Sequence, residues 1–134
     1  MILGARTLEG IIAHAKRDAP IEACGYLIGT KNRVARHVPM TNTDRSTEHF
    51  SLDPKEQFAV VKAARKEGLV LTGIYHSHPA SPARLSAEDI RLASDPALVY
   101  VIVSLKDSPA TVRGFRIKDE AYEDESLDIY EEHV

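Results

Sequence analysis

The stretch that most constrains this chain is Ala97–Ser104, ALVYVIVS, apolar until its last residue and rich in β-branched side chains. Such a run favours a strand, and a strand with no polar face must be covered on both sides. The covering layers are legible as amphipathic helices. The first is predicted from Thr7 to about Arg17, where Leu8, Ile11, Ile12 and Ala15 recur at i, i+3, i+4, i+7. Thr7 is its expected N-cap, and Pro20 prevents continuation. The second begins with Asp53 as N-cap, Pro54 at N1 and Glu56 at N3 closing a capping box. Its expected inner stripe is Phe58, Val61 and Ala64–Arg65, and Gly68 is a natural C′ stop. A third helix is predicted to open at Ser86.

Strands are expected at Ala23–Ile28, closed by Gly29, and at Arg33–Val38, its hairpin partner around Lys31-Asn32. Further strands are read at Glu48–Leu52, Leu69–Tyr75, Ala110–Ile117 and, as an acidic edge, Tyr122–Tyr130. Residues 76–85 read as a loop with Pro79 and Pro82. Helices interleaved with strands, some joined by hairpins, indicate the α/β class, with a mixed sheet flanked by helices. At 134 residues and 43% hydrophobic, with no linker or repeat, the chain reads as a single domain over residues 1–134.

Composition excludes several classes. The longest apolar run, Pro96–Val103, is far short of the roughly 20 residues of a membrane-spanning helix. MILGARTLEG lacks the apolar stretch and cleavage site of a signal peptide, so a cytoplasmic location is the default expectation. One cysteine, Cys24, excludes an internal disulfide and a zinc site built on several thiolates. Residues 1–118 hold all 17 Lys and Arg and 12 of the 20 acids, while residues 119–134 hold the other eight acids. That end reads as an acidic edge strand or tail. The basic charges of the body are scattered, so no nucleic-acid partner is expected. The oligomeric state stays open, a homodimer included.

The chemistry-bearing segment is Tyr75–Ile90, YHSHPASPARLSAEDI. His76 and His78, two apart at a strand end, put both imidazoles on one side and can converge on one cation. With six His in the chain, chance supplies roughly 0.26 such pairs, so a surface histidine pair is the rival reading. Seven residues intervene before Ser86, and two more before Asp89. The full pattern HxHx₇SxxD has a chance expectation of about 0.001. Leu85, Ser86, Asp89 and Ile90 also fit N′, N-cap, N3 and N4 of a helix, so Ser86 and Asp89 can serve purely as caps. The same helix start can bring Asp89 to the histidines. Two His and one carboxylate leave a fourth tetrahedral position for water, as in catalytic zinc sites. A general base is then required. Glu22, at the head of the apolar strand in PIEACGYLIG, is the candidate, against a plain solvated glutamate at a strand end.

On Glu22, His76-Ser77-His78-Pro79, Ser86 and Asp89 the chain resembles the JAMM zinc metallopeptidases, also called the MPN or Mov34 type. The spacer of about 50 residues, Asn42 after the early strands and GFRI at 114–117 are similar too. The resemblance implies an αβα fold on a curved mixed sheet, like that of cytidine deaminases. It implies Zn²⁺ on His76, His78 and Asp89 with water as fourth ligand, Glu22 as base, and Ser86 as donor to the tetrahedral oxyanion. It implies cleavage after the C-terminal Gly-Gly of a ubiquitin-like protein. Compact prokaryotic members are associated with sulfur-carrier proteins, from which they release cysteine or a conjugated protein. A non-catalytic scaffold and a small-peptide zinc hydrolase are the alternatives. A nucleobase deaminase needs H-x-E and P-C-x-x-C, which one cysteine excludes. Ala80 and Ser81 stand where a metallo-β-lactamase-type HxHxDH needs Asp and His. Cys24 reads as a buried inert thiol, and His14, His37 and His49 carry no assigned role.

Overall fold

The computed structural model describes residues 1–132. The elements are β1 (Ile2–Gly4), α1 (Ala5–Asp18), β2 (Cys24–Thr30), β3 (Arg33–Met40), α2 (Pro54–Lys66), β4 (Val70–His78), α3 (Ala87–Leu92), β5 (Val99–Ser104), β6 (Thr111–Lys118), β7 (Ala121–Glu125) and β8 (Asp128–Tyr130). All eight strands form one sheet in the order β7-β6-β5-β4-β2-β3-β1-β8. β5 is parallel to β4 and antiparallel to β6, so the sheet is mixed, as expected. Every residue of β5 is buried, which is what its unbroken apolar sequence requires.

Helices cover both faces. Ile11 and Ala15 of α1 pack among Leu3, Leu27, Val34, Tyr75, Val99 and Val101 in one cluster. The opposite face carries two. Ala64 of α2 packs on Cys24, Tyr26, Ile28 and Met40. Leu85, Ile90 and Ala93, around α3, pack on Tyr100, Ile102 and Phe115. The topology explains this asymmetry. β7 and β8 are two residues apart in the chain yet lie at opposite ends of the sheet. The sheet must therefore curl until its edges meet. Side chains on a concave face converge into one core, and those on a convex face diverge into two. The seam is stitched by Asp128 N–H donating to the Met1 carbonyl at 2.8 Å, and by Glu125, which receives the Met1 ammonium at 2.8 Å and Arg116 Nε at 2.9 Å.

Several local expectations are corrected. β1 runs straight into α1, so Gly4 and not Thr7 is the N-cap, with no side-chain cap bond. Glu48–Leu52 is not a strand, because its backbone groups are taken elsewhere: Asn42 bonds the His49 carbonyl and the Ser51 N–H. Asp53 caps α2, but Glu56 accepts from the Thr41 N–H and hydroxyl instead of closing a capping box. Phe58 is 69% exposed, and Ala64 with Val60 and Val61 forms the inner stripe. β4 extends through His78, so residues 76–78 are strand and not loop. Tyr122–Tyr130 is two strands on opposite edges of the sheet.

One close approach sets the β2–β4 spacing. Gly25 stands opposite Tyr75, and a Cβ there would overlap the Tyr75 ring. The ring cannot retreat. It is 1% exposed, and its hydroxyl lies 2.7 Å from His14 Nδ1. His14 Nε2–H donates to Asp18 at 3.0 Å, and burial lowers the His14 pKa, so Nδ1 of the neutral ring accepts from the phenol. Gly25→Ala should lower the urea midpoint by an amount equivalent to about 1–3 kcal/mol, as overpacking does. An unchanged midpoint would show that Tyr75 has room to move.

Candidate metal centre

β4 delivers His76 and His78 to the convex face, two residues apart and both buried. Its antiparallel partner β2 sets what stands across from them. Cys24 pairs with His76. Ala23 and Ser77 continue the register: Ser77 N–H donates to the Ala23 carbonyl at 2.9 Å, and Ala23 N–H donates to Ser77 Oγ at 2.8 Å. One step on, Glu22 stands across from His78. Residues directly opposite in an antiparallel pair share a face, so Glu22 lies on the side of both histidines.

Asp89 comes from α3. Ser86 Oγ accepts from Asp89 N–H at 3.0 Å, and Asp89 Oδ2 accepts from Ser86 N–H at 2.9 Å, the full capping box. The same carboxylate reaches the strand: Oδ1 is 3.2 Å from His76 Nε2, and Oδ2 is 3.2 Å from His78 Nε2. The two Nε2 atoms are 3.2 Å apart. Three ligands of a tetrahedral ion at about 2.0–2.1 Å lie about 3.3 Å from one another, so the observed spacing fits one small cation.

The donor set points the same way. His78 Nδ1–H donates to the Pro82 carbonyl at 2.9 Å, which leaves the Nε2 lone pair aimed at the cluster. His76 stacks on Phe50, ring centroids 4.9 Å apart. Burial opposes ionisation of Asp89, yet the hydrogen bonds to His76 and His78 hold its carboxyl far below the usual range. Burial also opposes a charge on His78, but its bonds to Asp89 and the Pro82 carbonyl raise its pKa overall. Two imidazole lone pairs and a carboxylate facing one point need a proton or a cation between them. Among the described residues, His76, His78 and Asp89 are the group that could hold a metal.

Glu22 is 3% exposed, and its Oε1 is buried with no hydrogen-bond partner. Burial pushes its pKa up to about 8; Asp89, Glu88 and Glu48 add to this, and His78 opposes it. A buried orphan oxygen beside three convergent donors is what a water or ion between them would satisfy. Two clefts of about 320 Å³ each flank the cluster. One is lined by Phe50, Leu52, Ile74, Leu85, Leu92 and Tyr100, together with His76 and Asp89. The other is lined by Glu22, Glu48, His78, Ala80, Ser81 and Ser86.

All five residues singled out in the sequence, Glu22, His76, His78, Ser86 and Asp89, thus meet at one place. Phe50, Pro82 and Ser77 were not singled out for roles of their own. Phe50 lies in a loop that reads as a strand, and the Pro82 contribution is a backbone carbonyl without a side-chain signature. Cys24 is buried, and burial pushes its thiol up to about 12, as expected of an inert cysteine.

The profile of prokaryotic homologs of the JAB domain matches residues 4–118, and the chain belongs to that family. The chain is 39% identical over 136 residues to the CysO-cysteine peptidase of Mycobacterium tuberculosis, covering 99% of this chain and 93% of that protein. It is 36% identical over 110 residues to the desampylase of Haloferax volcanii, covering 76% and 78%. A Desulfitobacterium hafniense protein solved in solution superposes with a TM-score of 0.90 at 45% identity, covering 98% of this chain and 94% of that one. The curled, helix-flanked mixed sheet is the JAB/MPN fold.

The cluster should bind one divalent transition-metal ion per chain. Isothermal titration should find a single site in the wild type and none in His76→Ala or His78→Ala, with weakened binding in Asp89→Ala. Full occupancy in both histidine variants would exclude this site.

Proposed function

We propose that this chain is a zinc-dependent peptidase. It hydrolyses the bond after the C-terminal Gly-Gly of a ubiquitin-like sulfur-carrier protein, in the cytoplasm, as a single domain, and releases cysteine or a conjugated protein. The observation that carries this reading is the convergence of the His76 and His78 Nε2 atoms, 3.2 Å apart and each 3.2 Å from an Asp89 carboxylate oxygen, beside the orphan carboxylate oxygen of buried Glu22. The names of the mycobacterial and haloarchaeal relatives support the substrate class.

His76, His78 and Asp89 would hold the ion. A zinc ion there supplies a Lewis acid and a water whose pKa falls toward ~7. Glu22 takes a proton from the attacking water and returns it to the departing amine. The Ser86 oxygen already accepts from Asp89 N–H, so its own proton is free for the scissile carbonyl oxygen. A Gly-Gly tail carries no side chains and can lie extended between the two clefts.

Glu22→Gln should keep the metal and the fold and lose ~10²–10⁴-fold in turnover. The assay uses small ubiquitin-like proteins of the host, as C-terminal cysteine adducts and as lysine conjugates, with cleavage read by mass spectrometry. Cutting of unrelated peptides without preference for Gly-Gly would overturn the substrate class. Loss of metal in Glu22→Gln would make Glu22 a ligand and not a base.

Ser86→Ala should cost about 0.5–2 kcal/mol in stability through the lost cap. Ser86→Asn should restore the cap but leave turnover ~10²–10³-fold low, the effect of a missing oxyanion donor. Recovery of both by Asn would reduce Ser86 to a cap.

A further inference from the structure

Outside the groups given roles above, the most completely bonded buried side chain near the centre is Asn42, in the loop after β3. Its Nδ2 donates to the Glu22 carbonyl at 3.1 Å and to the His49 carbonyl at 3.0 Å. Its Oδ1 accepts from Asp44 N–H at 3.1 Å and from Ser51 N–H at 3.2 Å. All four partners are backbone groups of fixed polarity, so the orientation of the amide is set and its capacity filled. Two further bonds close the same unit: Thr43 N–H to the Ser51 carbonyl and Glu22 N–H to the Ser46 carbonyl, each 2.9 Å. The loop gathered in this way lines both clefts, through Thr47 and Glu48 on one side and His49, Phe50 and Ser51 on the other. Phe50 stacks on the His76 ring.

Glu22 precedes the first residue of β2, so strand pairing alone does not fix it. Its amide is held by Ser46 and its carbonyl by Asn42, both from the loop. We propose that Asn42 is a positioning residue: it pins the 43–51 loop to the Glu22 backbone and so presets the Glu22 carboxylate against the histidine–aspartate cluster. This rests on the reading of Glu22 as the proton carrier. Asn42 touches neither the metal ligands nor the reacting atoms. A misplacement of about 1 Å in a catalytic group can cost ~10²-fold in rate.

Asn42→Asp isolates the tie. It keeps an oxygen for Asp44 and Ser51 but sets a second acceptor against the Glu22 and His49 carbonyls. In the metal-loaded protein it should lower kcat ~10–100-fold with KM and metal content close to wild type. In the Glu22→Gln background the same change should add less than about twofold, because a residue acting through Glu22 has nothing left to position. Amide exchange, measured without substrate, should show faster exchange at Glu22, whose N–H is held by the Ser46 carbonyl of the loop, with Ser51 close to wild type because its acceptor oxygen is kept. A wild type that cleaves no Gly-Gly-linked substrate defeats the peptidase reading, and the exchange result still decides whether Asn42 holds the Glu22 backbone. Wild-type cleavage with kcat in Asn42→Asp within twofold overturns the proposal. So do losses that multiply in the double variant, or loss of metal in Asn42→Asp. If Asn42→Asp does not fold, Asn42→Ser is read by the same three measurements and outcomes.

Discussion

The arrangement depends on the antiparallel register between β2 and β4. With Cys24 opposite His76 and the Ala23–Ser77 pair bonded twice, the register leads Glu22 toward His78, and the Ser46 carbonyl of the neighbouring loop holds its amide. A slip of one residue would turn Glu22 or the histidines to the α1 face. Two features oppose such a slip. Gly25 admits the Tyr75 ring at this register alone, and Ser77 spends its hydroxyl on the Ala23 amide. The residue between the two histidines therefore anchors the strand end, while its neighbours face the cluster.

Asp89 couples this sheet to a helix too short to be stable alone. α3 has six residues and none is buried. Its N-terminus is defined by the Ser86–Asp89 box, and the carboxylate that closes the box also faces His76 and His78. Capping and the metal-ligand reading are thus compatible: one carboxylate has enough lone pairs for both. A carboxylate whose side chain is only 12% exposed is costly unless paired, so the helix start and the histidine cluster hold each other in place.

Long-period signals in the sequence translate directly into the fold. The apolar run of β5, the α1 stripe, the Asp53-Pro54 start and the Gly68 stop of α2 all stand. Four of the five candidate residues are also close together for a local reason, because HxHx₇SxxD packs a strand end and a helix start into 14 residues of chain, while Glu22 comes from the head of β2. What the pattern did not carry is long-range. β1 is three residues, too short for a period, and exists because Met1 and Leu3 bury against α1 and Asp128 pairs back. β7 and β8 share one acidic stretch, and only closure of the curl divides it between two edges. Glu48–Leu52 alternates like a strand, but the Asn42 side chain takes the bonds that a neighbouring strand would have made. Phe58 carries the helical period of α2 and is nevertheless exposed, since the stripe turns to bring Ala64 and Val61 onto the sheet.

The curl also accounts for where polar chemistry is affordable. On the concave face the buried apolar side chains form one cluster with Ile11 and Ala15 of α1, and a polar group there would sit within one continuous core. On the convex face the α2 and α3 clusters diverge and share only flanking residues such as Leu71 and Ile74. His76 follows Ile74 on that same face, at the point where the two clusters part. Phe50 from one side and Leu85 from the other wall the cleft that opens there. The His76, His78 and Asp89 side chains are thus shielded enough for charge interactions to be strong, yet bordered by clefts on two sides. The division of the convex core that follows from strand topology is the same division that gives the centre its access.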